Sequence, residues 1–212
     1  MPYKAIFFDM DGVLVYSEPT HFNAWNLVLA DLGIESGFEF EEMVGRSDFV
    51  LAEILVERHQ LPHSIEALSH QKRHHVVRLV DQGLQAPLGR NEFLAKVAKD
   101  YYMAVVSSSS RNEVMAILEA ENIASYFKHI ITADDVDAVK PHPEPYLKAL
   151  SEANCEAHEA LIIEDSISGL QAAKNANIKA LGMHSEVDVA EVHPDITIFQ
   201  DFSEIHDHLF EI

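Results

Sequence analysis

Six short apolar runs punctuate the chain, each closing in polar or small residues: Ala5–Phe8, Met103–Val106, Ile130–Ile131, Leu161–Ile163, Ala180–Met183 and Ile196–Phe199. Their apolar residues are continuous rather than alternating, so as strands they need cover on both faces. Segments with helical spacing lie between most of them, such as Val114, Leu118 and Glu121, or Leu170, Ala173 and Asn177. Strand and helix in alternation predict an α/β protein with a Rossmann-like parallel sheet. Ligands of such sheets bind at the carboxyl ends of the strands. The residues just after each run are therefore where chemistry is expected.

The alternation fails between Ser17 and Leu84. Only helical stripes occur there: Phe22, Trp25, Leu29 and Leu32, then Val50, Leu51, Ile54 and Leu55, then Leu68, Val76, Val80 and Leu84. Gly33, Gly37, Gly45, Pro62 and Gly83 separate them as turn signals. The expected organisation is a core from residues 1–16 and 85–212, with a helical domain, 17–84, inserted after the first strand. Acidic residues outnumber basic ones by 35 to 15, a formal charge of −20. That balance argues against a sequence-independent grip on nucleic acid, which needs cations to displace counterions, and against docking on an anionic bilayer. No run approaches the roughly 20 apolar residues of a membrane span. The single cysteine, Cys155, has no internal partner for a disulfide. The expectation is a cytoplasmic, monomeric protein.

Four strand ends carry reactive groups. Asp9-Met10-Asp11-Gly12 follows the first run; in extended chain, residues two apart point the same way, and two such carboxylates repel unless a cation or proton joins them. Oxygen donors of this kind suit magnesium, whereas the bland alternative is a solvated turn. Ser107–Ser110 follows the second run, and Ser110 with Glu113 has the spacing of a capping box. A helix start of that kind gathers backbone N–H donors for an anion. Lys140 precedes Pro141, which favours extended backbone at the lysine, and Pro145 suits the opening of a helix. Glu164 and Asp165 follow the fourth run, directly before another helical segment.

These signatures, in this order, resemble the haloacid dehalogenase superfamily, in the subclass with an α-helical cap that includes β-phosphoglucomutase and many small-molecule phosphatases. The resemblance implies a covalent mechanism in which Asp9 accepts the phosphoryl group and Asp11 serves as general acid and base. It implies Mg²⁺ on Asp9, the backbone carbonyl of Asp11, and Asp165, with Glu164 bound directly or through water. Ser107, the backbone N–H of Ser108 and Lys140 would hold the phosphoryl oxygens; a slip of one residue would make Ser108 the hydroxyl donor. The dehalogenases themselves fit poorly, because their chemistry has no use for Asp11.

Ser17–Trp25 is similar to the cap entrance of β-phosphoglucomutase-like members, with Tyr16 where an aspartate is usual. The resemblance makes His21, Gly45, Arg46 and Lys72 candidates for contacting substrate, although Lys72 reads equally as a solvated helix face. The arginine that phosphoglucomutases place two residues beyond Arg46 is Asp48 here. Zinc is not indicated: adjacent His74 and His75 point about 100° apart on a helix, and no His-Glu-x-x-His spacing occurs. The implied activity is magnesium-dependent hydrolysis of a small phosphorylated metabolite, a sugar phosphate being the natural class. A phosphomutase, or a non-catalytic binding protein on the same fold, is the alternative.

Overall fold

The computed structural model describes residues 3–35, 39–43, 46–183 and 196–210. Its contacts divide the chain into two compact units, one of residues 1–16 with 85–212 and one of residues 17–84.

The larger unit is built on six strands, β1 (Ala5–Phe8), β2 (Tyr102–Val106), β3 (His129–Ile131), β4 (Ala160–Glu164), β5 (Lys179–Met183) and β6 (Ile198–Phe199). They run parallel in the order β3-β2-β1-β4-β5-β6. The unbroken apolar runs follow from two-sided cover. Ala5 and Phe7 of β1 join one core with Tyr146 and Ala149 of α7 (Glu144–Ala153) and Leu170 and Ala173 of α8 (Ile167–Asn175). Phe8 turns to the opposite face and meets the rings of Phe93 on α5 (Arg90–Val97), Phe127 and Phe202. Each fully buried side chain of this size contributes about 1.5–3 kcal/mol. The last strand is shorter than its apolar run: Ile196 and Thr197 lie outside β6, although Gly182 still donates to the Thr197 carbonyl. Tyr16 forms an antiparallel bridge with Gln85 where the chain leaves and re-enters this unit.

The smaller unit contains α1 (Glu18–Asp31), α2 (Phe40–Met43), α3 (Asp48–His59) and α4 (Ile65–Leu79). Ser47 and Ser64 cap α3 and α4, their hydroxyls accepting from the N–H groups of Val50 and Ala67. The helices bury Trp25, Val28, Leu29, Met43, Leu51, Ala52, Leu55 and Leu68 in one cluster. Val50, placed in the α3 stripe from its spacing, is 41% exposed, because Ala52 takes the inward position beside Leu51 and Leu55. Polar ties cross the same unit: Asp31 of α1 accepts from Gln71 of α4 and pairs with His75. Among the described residues no helix is long and apolar enough to cross a membrane.

Candidate active site

β1 lies between β2 and β4, so the strand order reverses beside it, and at such a point the strand ends open a crevice. Asp9 leaves β1 there, its N–H donating to the Ile163 carbonyl of β4 at 3.0 Å. Phe8 is in register with Ile163, so Asp9 and Glu164 come side by side at neighbouring strand ends. Residues 10–15 then turn back tightly, the N–H groups of Leu14 and Val15 both donating to the Met10 carbonyl. Gly12 makes that turn possible. Its φ is +78°, and a Cβ there would lie 2.0 Å from Asp165 Oδ2.

Asp9, Glu164 and Asp165 each bring a carboxylate oxygen within 4.8 Å of the others. Lys140 Nζ enters the group, donating to Asp9 Oδ1 at 2.6 Å and to Glu164 Oε1 at 2.7 Å. Glu164 is fully buried and both of its oxygens are occupied. Oε1 also accepts from the Tyr146 hydroxyl at 3.1 Å, and Oε2 from the N–H groups of Asp165 and Ser166 and from the Ser166 hydroxyl. Gly169 gives Glu164 its room, since a Cβ there would fall 1.5 Å from Glu164 Oε1.

The charges are strongly coupled. Burial pushes the Asp9 carboxyl up to about 8, against the pull of Lys140 and with the charges of Glu164 and Asp11 adding to the rise. For Lys140, burial opposes the charged form, but the charges of Asp9 and Glu164 prevail and hold its pKa well above the ordinary lysine value. One buried ammonium therefore stands among several carboxylates, and Asp9 is short of positive charge. A hard divalent cation with oxygen donors would supply it, so the residues present fit such an ion.

Two more elements complete the rim. Ser107 follows β2 directly and is buried; its Oγ accepts from the Ser109 N–H at 3.0 Å, while Ser108 is exposed. With that acceptor position taken, the Ser107 hydroxyl has its proton to donate. Asp11 is half-buried and its Oδ2 accepts from the Ser109 hydroxyl at 3.1 Å. The helix that follows, α6 (Arg111–Ala120), starts at the expected capping residue: Ser110 donates both N–H and hydroxyl to the Glu113 carboxylate.

The strand-end residues singled out from the sequence, Asp9, Asp11, Ser107, Ser108, Lys140, Glu164 and Asp165, thus all belong to the larger unit, and all but the exposed Ser108 are tied into this network. His21, Arg46 and Lys72 belong to the helical unit, and Gly45 lies outside the described residues. Arg46 is exposed and His21 is half-buried. Lys72 is not on a solvated face: it is 1% exposed and its Nζ is 2.9 Å from Asp48 Oδ2. Sequence reasoning passed over Tyr146, Ser109, Ser166 and Gly169.

A doubly wound sheet with carboxylates and a buried lysine at its reversal point places the protein in the α/β class whose ligands are met at the carboxyl ends of the strands. The family model described as haloacid dehalogenase-like hydrolase matches residues 6–183, and the chain belongs to that family. A phosphorylated carbohydrates phosphatase from Thermotoga maritima is 29% identical over 180 residues, covering 84% of this chain and 83% of the relative. A fructose-1-phosphate phosphatase from Escherichia coli is 28% identical over 186 residues, covering 84% of this chain and 95% of that protein. Among solved structures, CbbY from Rhodobacter sphaeroides in complex with phosphate superimposes with a TM-score of 0.86 at 26% identity, covering 96% of each chain.

Proposed function

We propose that the protein is a magnesium-dependent phosphatase that hydrolyses a small phosphate monoester, with sugar phosphates as the substrate class, through a phosphorylated Asp9. The observation that carries this reading is the buried Asp9 carboxylate at the end of β1, met by Lys140 at 2.6 Å within the Asp9–Glu164–Asp165 group. Relatives named for phosphorylated carbohydrates and for fructose 1-phosphate support the class of substrate.

In this reading an Asp9 oxygen attacks phosphorus, and the bond from phosphorus to the alcohol oxygen breaks as Asp11 passes its proton to that oxygen. Water then attacks the phosphorus held on Asp9. Asp11 takes the water's proton, the Asp9 oxygen–phosphorus bond breaks, and inorganic phosphate leaves. The Ser107 hydroxyl, the Ser108 N–H and the Lys140 ammonium hold the phosphoryl oxygens. Asp9, the Asp11 carbonyl and Asp165 would hold Mg²⁺; Glu164, its oxygens filled by protein donors, acts by fixing Lys140. When bound, the ion offsets the charge between the nucleophile and an anionic phosphate. Arg46 and His21, with Gly45, are assigned to the organic part of the substrate.

A phosphomutase would share the first half of this chemistry. Against it stands Lys72, which the family resemblance gives to substrate but which is buried here on Asp48. The test is a panel of sugar phosphates assayed for both phosphate release and isomer formation. Phosphate release that needs Mg²⁺ and stops with a chelator is expected. Conversion of β-glucose 1-phosphate to glucose 6-phosphate with a bisphosphate primer would make the protein a mutase, and silence across the panel would remove the enzymatic reading.

Gly12→Ala tests the metal assignment separately. The added methyl must displace Asp165 from its place over Gly12. The Mg²⁺ concentration giving half-maximal activity is expected to rise by about 10–100-fold, the range for disturbing a metal's surroundings. An unchanged Mg²⁺ requirement in a folded variant would remove Asp165 from the ligand set.

A further inference from the structure

Ser109 touches two members of the site at once. Its backbone is anchored from both sides: the N–H donates to Ser107 Oγ at 3.0 Å, and the carbonyl accepts from the Ala133 N–H at 3.1 Å. The next residue is fixed as well, Ser110 being bound through its N–H and hydroxyl to Glu113. From this rigid base the Ser109 hydroxyl reaches across 98 positions of sequence to Asp11 Oδ2 at 3.1 Å. Asp11, by contrast, leaves a turn whose backbone bonds are mostly to its own neighbours.

We infer that Ser109 is a positioning residue for proton transfer, aiming the Asp11 carboxyl at the departing oxygen; this rests on the phosphatase reading, in which Asp11 is the acid and base. A hydroxyl suits the task because it can donate to Asp11 Oδ2 in both protonation states. It donates to the carboxylate, and it donates equally to the carbonyl oxygen of the acid, whose transferable proton is on Oδ1. Asp11 thus keeps one orientation through both halves of the reaction. The same residue aligns Ser107 through its N–H, so the phosphoryl-holding hydroxyl and the proton donor share one support.

The consequence can be read in how rate depends on the leaving group. A sugar alcohol needs a proton as its bond to phosphorus breaks, whereas p-nitrophenolate departs as a stable anion and does not. For Ser109→Ala, kcat/KM on fructose 1-phosphate is expected to fall by about tenfold or more, part of the 10²–10⁴ that acid–base catalysis supplies. On p-nitrophenyl phosphate the same parameter stays within about twofold, because it reports only the steps up to release of the alcohol. Ser109→Thr, which keeps the hydroxyl, restores the loss. Equal losses on both esters, or no loss on either, would overturn the inference and leave Ser109 with a structural or binding role. Asp11→Asn separates this from the underlying reading. If that variant also loses equally on both esters, Asp11 is not the proton donor, and the assignment of Asp11 fails together with the role of Ser109.

Discussion

Asp9→Asn is expected to abolish turnover while making the metal-free protein more tolerant of alkaline pH. Removal of a covalent nucleophile costs on the order of 10⁴-fold or more in kcat. The stability effect has the opposite sign and a distinct pH signature. The folded-state pKa of Asp9 is raised to about 8, above the ordinary value of 3.8, chiefly by burial. For a group raised in this way, the folded state binds the proton more tightly than the unfolded one. Its contribution to stability is complete below the ordinary value and is lost as pH climbs towards about 8. Over that window one extra proton is bound on folding, a slope of about −1.4 kcal/mol per pH unit. Asparagine is the isostere of the protonated form and does not titrate, so the variant lacks that slope. Chemical unfolding of both proteins in chelator between pH 5 and 8 measures the difference directly. Metal binding near neutral pH should likewise release a proton from the wild type and none from the variant, read by calorimetry in two buffers. Parallel stability profiles for the two proteins would show that Asp9 is ionised without metal.

Most of the candidate site is legible in the sequence because most of its charged members sit in one kind of place. Asp9, Asp11, Glu164 and Asp165 follow strand-length apolar runs, whereas Lys140 stands nine residues beyond Ile131 and is marked by Pro141 instead; the first run matches β1 residue for residue, with Phe7 and Phe8 facing opposite cores. Ser110 and Glu113 declared a helix start through local chemistry alone. What stayed hidden depends on distances between parts of the chain far apart in sequence. Tyr146 reads as one more core aromatic until its hydroxyl is found on Glu164, and Gly169 as a helical glycine until the Glu164 carboxylate occupies the space of its missing side chain. Lys72 reads as solvated because its partner Asp48 is 24 positions away on another helix. The four residues of α2 are too few for any period to register, and β6 keeps only the part of its apolar run that pairs with β5.

Lys140→Met should be the most destabilising single change at the site, and the damage should depend on both pH and metal. The lysine is buried against two carboxylates, at 2.6 Å from Asp9 and 2.7 Å from Glu164. Removing one partner of a buried ion pair commonly costs about 3–5 kcal/mol, because the remaining charge has lost its compensation. At about 2–4 °C per kcal/mol for a chain of this size, Tm falls by roughly 10 °C at pH 8 in chelator. The cost is limited by protonation, because Asp9 can take up a proton in place of the ammonium. Below pH 8 Asp9 is protonated in both metal-free proteins, so the gap to wild type changes little there; at pH 9 it widens, because Asp9 in the variant titrates higher still. Saturating Mg²⁺ narrows the gap at pH 8, since the ion and the ammonium answer the same negative charge. It does not restore turnover, because a cation held by Asp9 and Asp165 leaves the phosphoryl oxygen assigned to Lys140 without its donor. Thermal unfolding of both proteins at the two pH values, with and without Mg²⁺, resolves these contributions. A deficit of the same size under all four conditions would mean that Lys140 stabilises by packing against Tyr146, 5.1 Å from its ring, rather than by neutralising carboxylates.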